Sequence, residues 1–270
     1  MTTPALVQAS ADPLSPIRAT LEAIAARPGQ RPWQGISPDL TVDDTGGWVR
    51  ATDLVSGDGL EDFLDTAKQR WRATPHAAAA LAWKCYSYWL ALPAVLGYAA
   101  ARRVPLLRPD AVSWQWSAQQ PFLRVGLGSV EVAVLPSDPL ALGTGEARLA
   151  AGIRVVADDD ALLAELRTSL IDEHLAPLLE NVRRGLHVGR RTFWGSLASG
   201  VAHGLSRAAD VVPGPTLDTA DRVLGALGVR DLVELGPRDG GRAGLSVQRK
   251  TCCLAFTLPE PKICSGCCIR

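Results

Sequence analysis

Cysteine is scarce in this chain: 270 residues contain six, and only Cys85 lies outside the last 19 positions. Lysine is scarcer still, four of 28 basic residues. Neither sign of charge is in excess, because the 28 basic side chains balance 28 acidic ones. No global field therefore draws the protein to nucleic acid or to an anionic membrane, and a charged partner must be read by a local patch. The N-terminal stretch MTTPALVQASADPLSP has no basic residues leading into an apolar run, so no secretory signal is expected. A cytoplasmic location follows, either free or peripheral at the inner membrane face. Long apolar runs are also lacking. The one candidate, Ala77 to Ala101, is interrupted by Lys84, Pro93 and Gly97. Its unbroken part is shorter than the roughly 20 residues a bilayer demands, and it reads as a pair of buried core helices with no stable membrane insertion.

Several chemical fingerprints are absent. VGLGSVEV places Gly126 and Gly128 in a dinucleotide-like spacing, but Glu131 stands where the third glycine belongs. His76, His174, His187 and His203 show neither H-x-x-x-H nor H-E-x-x-H spacing, and there is no G-x-S-x-G elbow. Nicotinamide or flavin binding, zinc-protease chemistry and serine-hydrolase chemistry thus have no motif to stand on.

What is present is an ordinary globular composition, 47% apolar, in a chain long enough to bury a sizeable core. Apolar residues recur at helical spacing at Leu14, Ile17, Leu21 and Ile24. Residues 59–72 form a second amphipathic helix, acidic at its start and basic at its end. After Pro109 the period becomes two: residues 111–117 and 129–135 read as strands of a hairpin or meander turning at Gly126 and Gly128, and residues 152–156 as a further strand. Asp158, Asp159 and Asp160 are expected to start the next helix rather than to bind a hard cation, and Pro177 to bend or divide it. Helices follow at 189–210 and 217–228, then the loop GPRDGGRAG and a strand, LSVQRKT. This order predicts an α+β fold with a largely antiparallel sheet, helices packed on it, and a helical C-terminal half ending in a cysteine-rich tail. The division expected is residues 1–157 and 158–270, with a metal-binding segment at 245–270, or one continuous domain.

The tail carries the chemistry. Cys252 and Cys253 are adjacent, a gap of ten residues follows, and Cys264 and Cys267 are separated by Ser265 and Gly266. Four thiolates complete either a tetrahedral zinc site or a two-iron cluster. Ser265 and Gly266 let the backbone wrap around a metal and turn N–H groups toward sulfur. Neighbouring side chains in a strand point to opposite faces, so Cys252 and Cys253 can serve one site only where the chain leaves strand geometry. An iron-sulfur cluster, a zinc site and free or paired thiols all remain open on spacing alone. Cys268 is surplus, and Cys85 reads as a small buried hydrophobe.

The segment RKTCCLAFTLPEPKICSGC resembles the C-terminal signature of the FhuF-type ferric siderophore reductases, and GRRTFWGSLASGVA more loosely resembles the helical region before it. The family pattern often continues with Pro where this chain has Cys268. The resemblance implies a [2Fe-2S] cluster on Cys252, Cys253, Cys264 and Cys267, and an oxidoreductase that reduces Fe(III) siderophores, of hydroxamate type, to Fe(II) in the cytosol. With no nucleotide motif, electrons are expected from an external donor such as a ferredoxin or a reductase. Arg249, Lys250, Lys262 and Arg270 gather around the cysteines in sequence as a basic docking rim, with Arg190, Arg191 and Trp194 as a second candidate. A zinc-stabilised binding module and a cluster-bearing electron carrier or redox sensor are the alternatives.

Overall fold

The computed structural model describes residues 12–29, 33–42, 46–117, 122–238, 244–264 and 266–269. Its first half runs α1 (Ser15–Ala25), β1 (Ile36–Thr41), β2 (Val49–Arg50), α2 (Ala51–Ser56), α3 (Leu60–Trp71), α4 (Pro75–Ala101), β3 (Arg103–Pro105), β4 (Val112–Trp116), β5 (Leu123–Leu127) and β6 (Val132–Val134). Its second runs α5 (Gly145–Ala150), β7 (Ile153–Val155), α6 (Asp159–Arg167), α7 (Ala176–Gly185), α8 (Arg190–Ala208), α9 (Thr216–Ala226), β8 (Val233–Pro237) and β9 (Leu245–Arg249).

The alanine-rich segment is one helix rather than the expected pair. Thr74 caps it by accepting from the Ala77 N–H, and Pro75 starts it with a φ already suited to a helix. Pro93 removes one interior donor, yet the helix continues, because both of its sides are packed: from Ala77 to Ala99 nearly every residue is buried against α1, α3 and α8. The Trp83 indole donates to the Phe193 carbonyl of α8 at 2.8 Å, tying the two long helices together. Side chains from both halves of the chain join in this core. Among the described residues no helix is long and apolar enough to cross a membrane.

The fold is α+β with mostly antiparallel pairing, divided among small sheets. One has the order β1-β5-β4-β2, another β3-β6-β7, and β8 pairs with β9. Only β1–β5 and β6–β7 are parallel among the described pairs. The expected hairpin is displaced. Its strands are β4 and β5, while Gly126 lies inside β5 opposite Ser113 rather than in a turn. A Cβ on Gly126 would lie 2.5 Å from Val42 Cγ1, so close packing against β1 requires this glycine. The residues read as the second strand contribute only β6, in a different sheet. Asp158 caps α6 as expected, accepting from the Ala161 N–H at 2.8 Å. The helical run divides beside Pro177 as expected: a wide π-helical stretch, Thr168–Leu175, ends just before it, and Pro177 stands in the first turn of α7.

That stretch places His174 in the core, fully buried. Its Nδ1 lies 2.6 Å from the Leu107 carbonyl, which can only accept, so Nδ1 carries the proton. Nε2 then accepts from the Tyr86 hydroxyl at 2.7 Å. Burial pushes the His174 pKa down to about 4. The native state therefore refuses a proton that the unfolded chain takes up below its ordinary value of about 6.5. Stability is fully present above that value and falls by roughly 3 kcal/mol as pH drops toward 4. Urea unfolding at pH 7, 5.5 and 4.5 will show this slope, and a His174→Leu variant, although less stable at pH 7, will lack that component.

Candidate metal centre

The cysteine segment begins where β9 ends. Along β9 Leu245, Val247 and Arg249 face inward, and Arg249 donates through Nη2 to the Ser196 hydroxyl of α8 at 2.9 Å. The chain then leaves strand geometry. Leu254 adopts φ 61°, an uncommon left-handed conformation for a non-glycine residue, immediately after the adjacent cysteines. Cys252 and Cys253 therefore lie outside β9, in irregular backbone. Thr251 settles against α8 because Gly195 has no side chain: a Cβ there would lie 1.9 Å from Thr251 Oγ1.

The second cysteine pair returns to β9. The Arg249 N–H donates to the Gly266 carbonyl at 3.0 Å, and Gln248 Nε2 to the Cys267 carbonyl at 2.8 Å. Cys253 and Cys267 are buried, Cys252 and Cys264 half-buried, and Cys268 exposed. The sulfurs of Cys253 and Cys264 stand 3.7 Å apart. Two thiolates on one tetrahedral metal, each at about 2.3 Å, are about 3.8 Å apart. Lys84 reaches from α4 to place Nζ 3.7 Å from Cys264 Sγ. The hydrogen bond from Cys264, with further help from Lys84, the Ala255 N–H and Arg249, pushes the Cys253 pKa down to about 5, while that shared proton raises Cys264. Cys252 is raised, first by burial and then by the neighbouring cysteines, although its sulfur accepts the Leu254 N–H at 3.3 Å.

Among the described residues no group of three or more His, Cys, Asp or Glu side chains is arranged to hold a metal ion. The donor chemistry nevertheless suits a soft, anionic metal-thiolate group. Two sulfurs already have ligand spacing, and among the described residues the buried Arg249 has no hydrogen-bond partner for Nε and Nη1, in a region where a negative group would satisfy them.

Of the described members of the expected rim, Arg249 lines a cavity together with Cys264, while the others are engaged elsewhere. Arg249 is only 3% exposed and belongs to the interior. Lys250 pairs with Glu234 at 3.6 Å. Lys262 faces another cavity, shared with Arg70, Arg72 and Phe122. On the first turn of α8 Arg191 pairs with Asp231 at 3.3 Å, Arg190 pairs with Glu180 at 3.0 Å, and Trp194 packs edge-on against Trp83. Ser265 and Arg270 lie outside the described residues. Cys85 is half-buried rather than an interior filler, and it lines a cavity beside Cys264. Sequence reasoning missed Lys84 as a site residue. The available signal was that this residue is the single charge in an otherwise apolar 25-residue run.

No protein-family model matches this chain, and no curated protein matches it significantly.

Proposed function

We propose that this chain is a one-electron oxidoreductase for ferric siderophores, holding a [2Fe-2S] cluster on Cys252, Cys253, Cys264 and Cys267. The observation carrying this reading is the approach of Cys253 and Cys264 to 3.7 Å beside Lys84 and the partly unsatisfied Arg249. When bound, the cluster would supply single electrons, the stoichiometry for converting Fe(III) to Fe(II). Hard oxygen donors hold Fe(II) more weakly, so the product leaves the chelate. The residues of the chain supply the rest. Lys84 and Arg249 oppose the negative charge of the thiolates. Burial of Cys253 and Cys267 limits water around the sulfurs, and the N–H groups of Leu254 and Ala255 point at Cys252 and Cys253. Such hydrogen bonds raise a cluster's potential. An external redox protein would deliver the electrons, in a cytosol that keeps the thiols reduced.

Anaerobic purification followed by iron, acid-labile sulfide, absorption and EPR measurements tests the reading. The expected result is about two irons and two sulfides per chain, bleaching with dithionite, and reoxidation by ferric siderophores faster than by oxygen. Stoichiometric zinc in a colourless protein, even after iron-sulfur reconstitution, would overturn it in favour of a zinc-stabilised binding module. Reoxidation by ferricyanide but not by chelates would identify an electron carrier instead.

A further inference from the structure

Between α4, α8 and the returning tail lies a half-open cavity of about 310 Å³, floored by Cys264 and Gly266. That volume lies at the lower end for small-molecule pockets. One face of α4 supplies Lys84, Tyr88 and Trp89. From α8 come Ser196, Ser199 and Gly200, and Tyr88 packs directly on Gly200, where a Cβ would lie 3.1 Å from its ring. His203 and Arg249 close it. Among the described residues no carboxylate lines the cavity, whereas Lys84 and Arg249 do. Arg249, more than nine-tenths buried, has Nε and Nη1 unpartnered among the described residues. Most of the wall is apolar and two of its members are aromatic, so the cavity combines flat surfaces with convergent donors.

We infer that this cavity binds an aromatic, anionic arm of the ferric chelate, a hydroxybenzoyl group with an ionised oxygen, in preference to a neutral hydroxamate arm. The inference names the substrate class for the reductase reading and rests on it. The ring lies along Tyr88 and Trp89, and the charged oxygen meets Lys84 and Arg249. One arm fills the space, and the remainder of a bulky chelate stays outside. Its iron is then held beside Cys264, at the edge of the thiolate group.

Four iron-free probes separate charge from ring: salicylate, acetate, benzyl alcohol and acetohydroxamate. The full-length protein, with its metal content measured, is titrated with each, and binding is read from tryptophan fluorescence and ligand-observed NMR. Salicylate is expected to bind at least tenfold tighter than the other three, and a gallium(III) chelate with hydroxybenzoyl arms to displace it. Lys84→Met is expected to weaken salicylate tenfold or more. Ser199→Phe, which fills the cavity, does the same without removing a charge, and thermal melts confirm that both variants fold. Equal or tighter binding of acetohydroxamate or benzyl alcohol, no binding of salicylate, or unchanged affinity in folded Lys84→Met would overturn the inference. Because neither salicylate nor gallium(III) takes an electron from the protein, these results stand apart from the cluster measurement. A protein that binds salicylate as described but contains no iron or sulfide retains the anion site and loses the reductase reading.

Discussion

Serine in place of Cys253 or Cys264 will abolish the visible absorption and acid-labile sulfide of the reconstituted protein, whereas serine at Cys268 will leave both intact. A hydroxyl is a hard, weakly acidic donor, and soft metal centres select thiolate over it. Cys253 and Cys264 already sit at ligand distance from each other, and Cys253 is held toward its thiolate by its neighbours. Losing either also leaves Lys84 and Arg249 facing one sulfur fewer. Cys252 and Cys267 are expected to follow the same rule, because a four-thiolate site with three sulfurs remaining has lost a ligand outright. Cys268 is exposed, and its serine variant tests whether the last two cysteines can exchange roles. The measurement is a five-variant series of absorption, sulfide and EPR after identical anaerobic reconstitution. A normal spectrum in Cys264→Ser, or a lost one in Cys268→Ser, would refute this ligand set.

The second large effect is expected at a residue that carries no chemistry. Gly266→Ala will destabilise the protein by about 3 kcal/mol and prevent cluster assembly, with all five tail cysteines still present. A Cβ at this position would stand 2.1 Å from the Val247 carbonyl oxygen, a backbone atom of β9 that cannot rotate away. The loop must lift, and the two hydrogen bonds that dock it, from the Arg249 N–H and Gln248 Nε2, are lost or lengthened. Each contributes roughly 1 kcal/mol, and overpacking adds a further 1–3 kcal/mol. Urea unfolding gives the stability change, and iron and sulfide analysis gives the effect on assembly. A variant with wild-type stability and a full complement of iron would show that the docking of this loop on β9 is dispensable.

Much of the helical architecture was legible because burial leaves a period. Ile17 and Ile24 of α1, Phe63 and Ala67 of α3, and Leu162, Leu163 and Leu166 of α6 are buried on the faces that the spacing implies. Short strands were less legible. β1 contains two adjacent exposed residues, Pro38 and Asp39, and β8 reads as Val-Glu-Leu-Gly-Pro, so neither has the alternation that marks a strand before its partner is known. Gly126 is ambiguous because a glycine that marks a turn and a glycine that admits a neighbouring strand look the same in sequence. Pro93 is ambiguous for a related reason. Its local cost is real, but the packing of α4 on both sides outweighs it.

The candidate site divides along the same line. Four thiols at fixed spacings near the chain end belong to the sequence alone, since donor type and local spacing are properties of consecutive residues. Their electrostatic surroundings do not. Lys84 and Cys264 are 180 residues apart, and only the packing of α4 against the tail brings ammonium and sulfur together. Arg249 looked like part of a solvated rim because its neighbours are basic, and it is interior because strand alternation and Ser196 turn it inward. Spacing along the chain selects which atoms can grip a metal, whereas the charges, cavity and backbone contacts around those atoms arise from surfaces that meet only when the core closes.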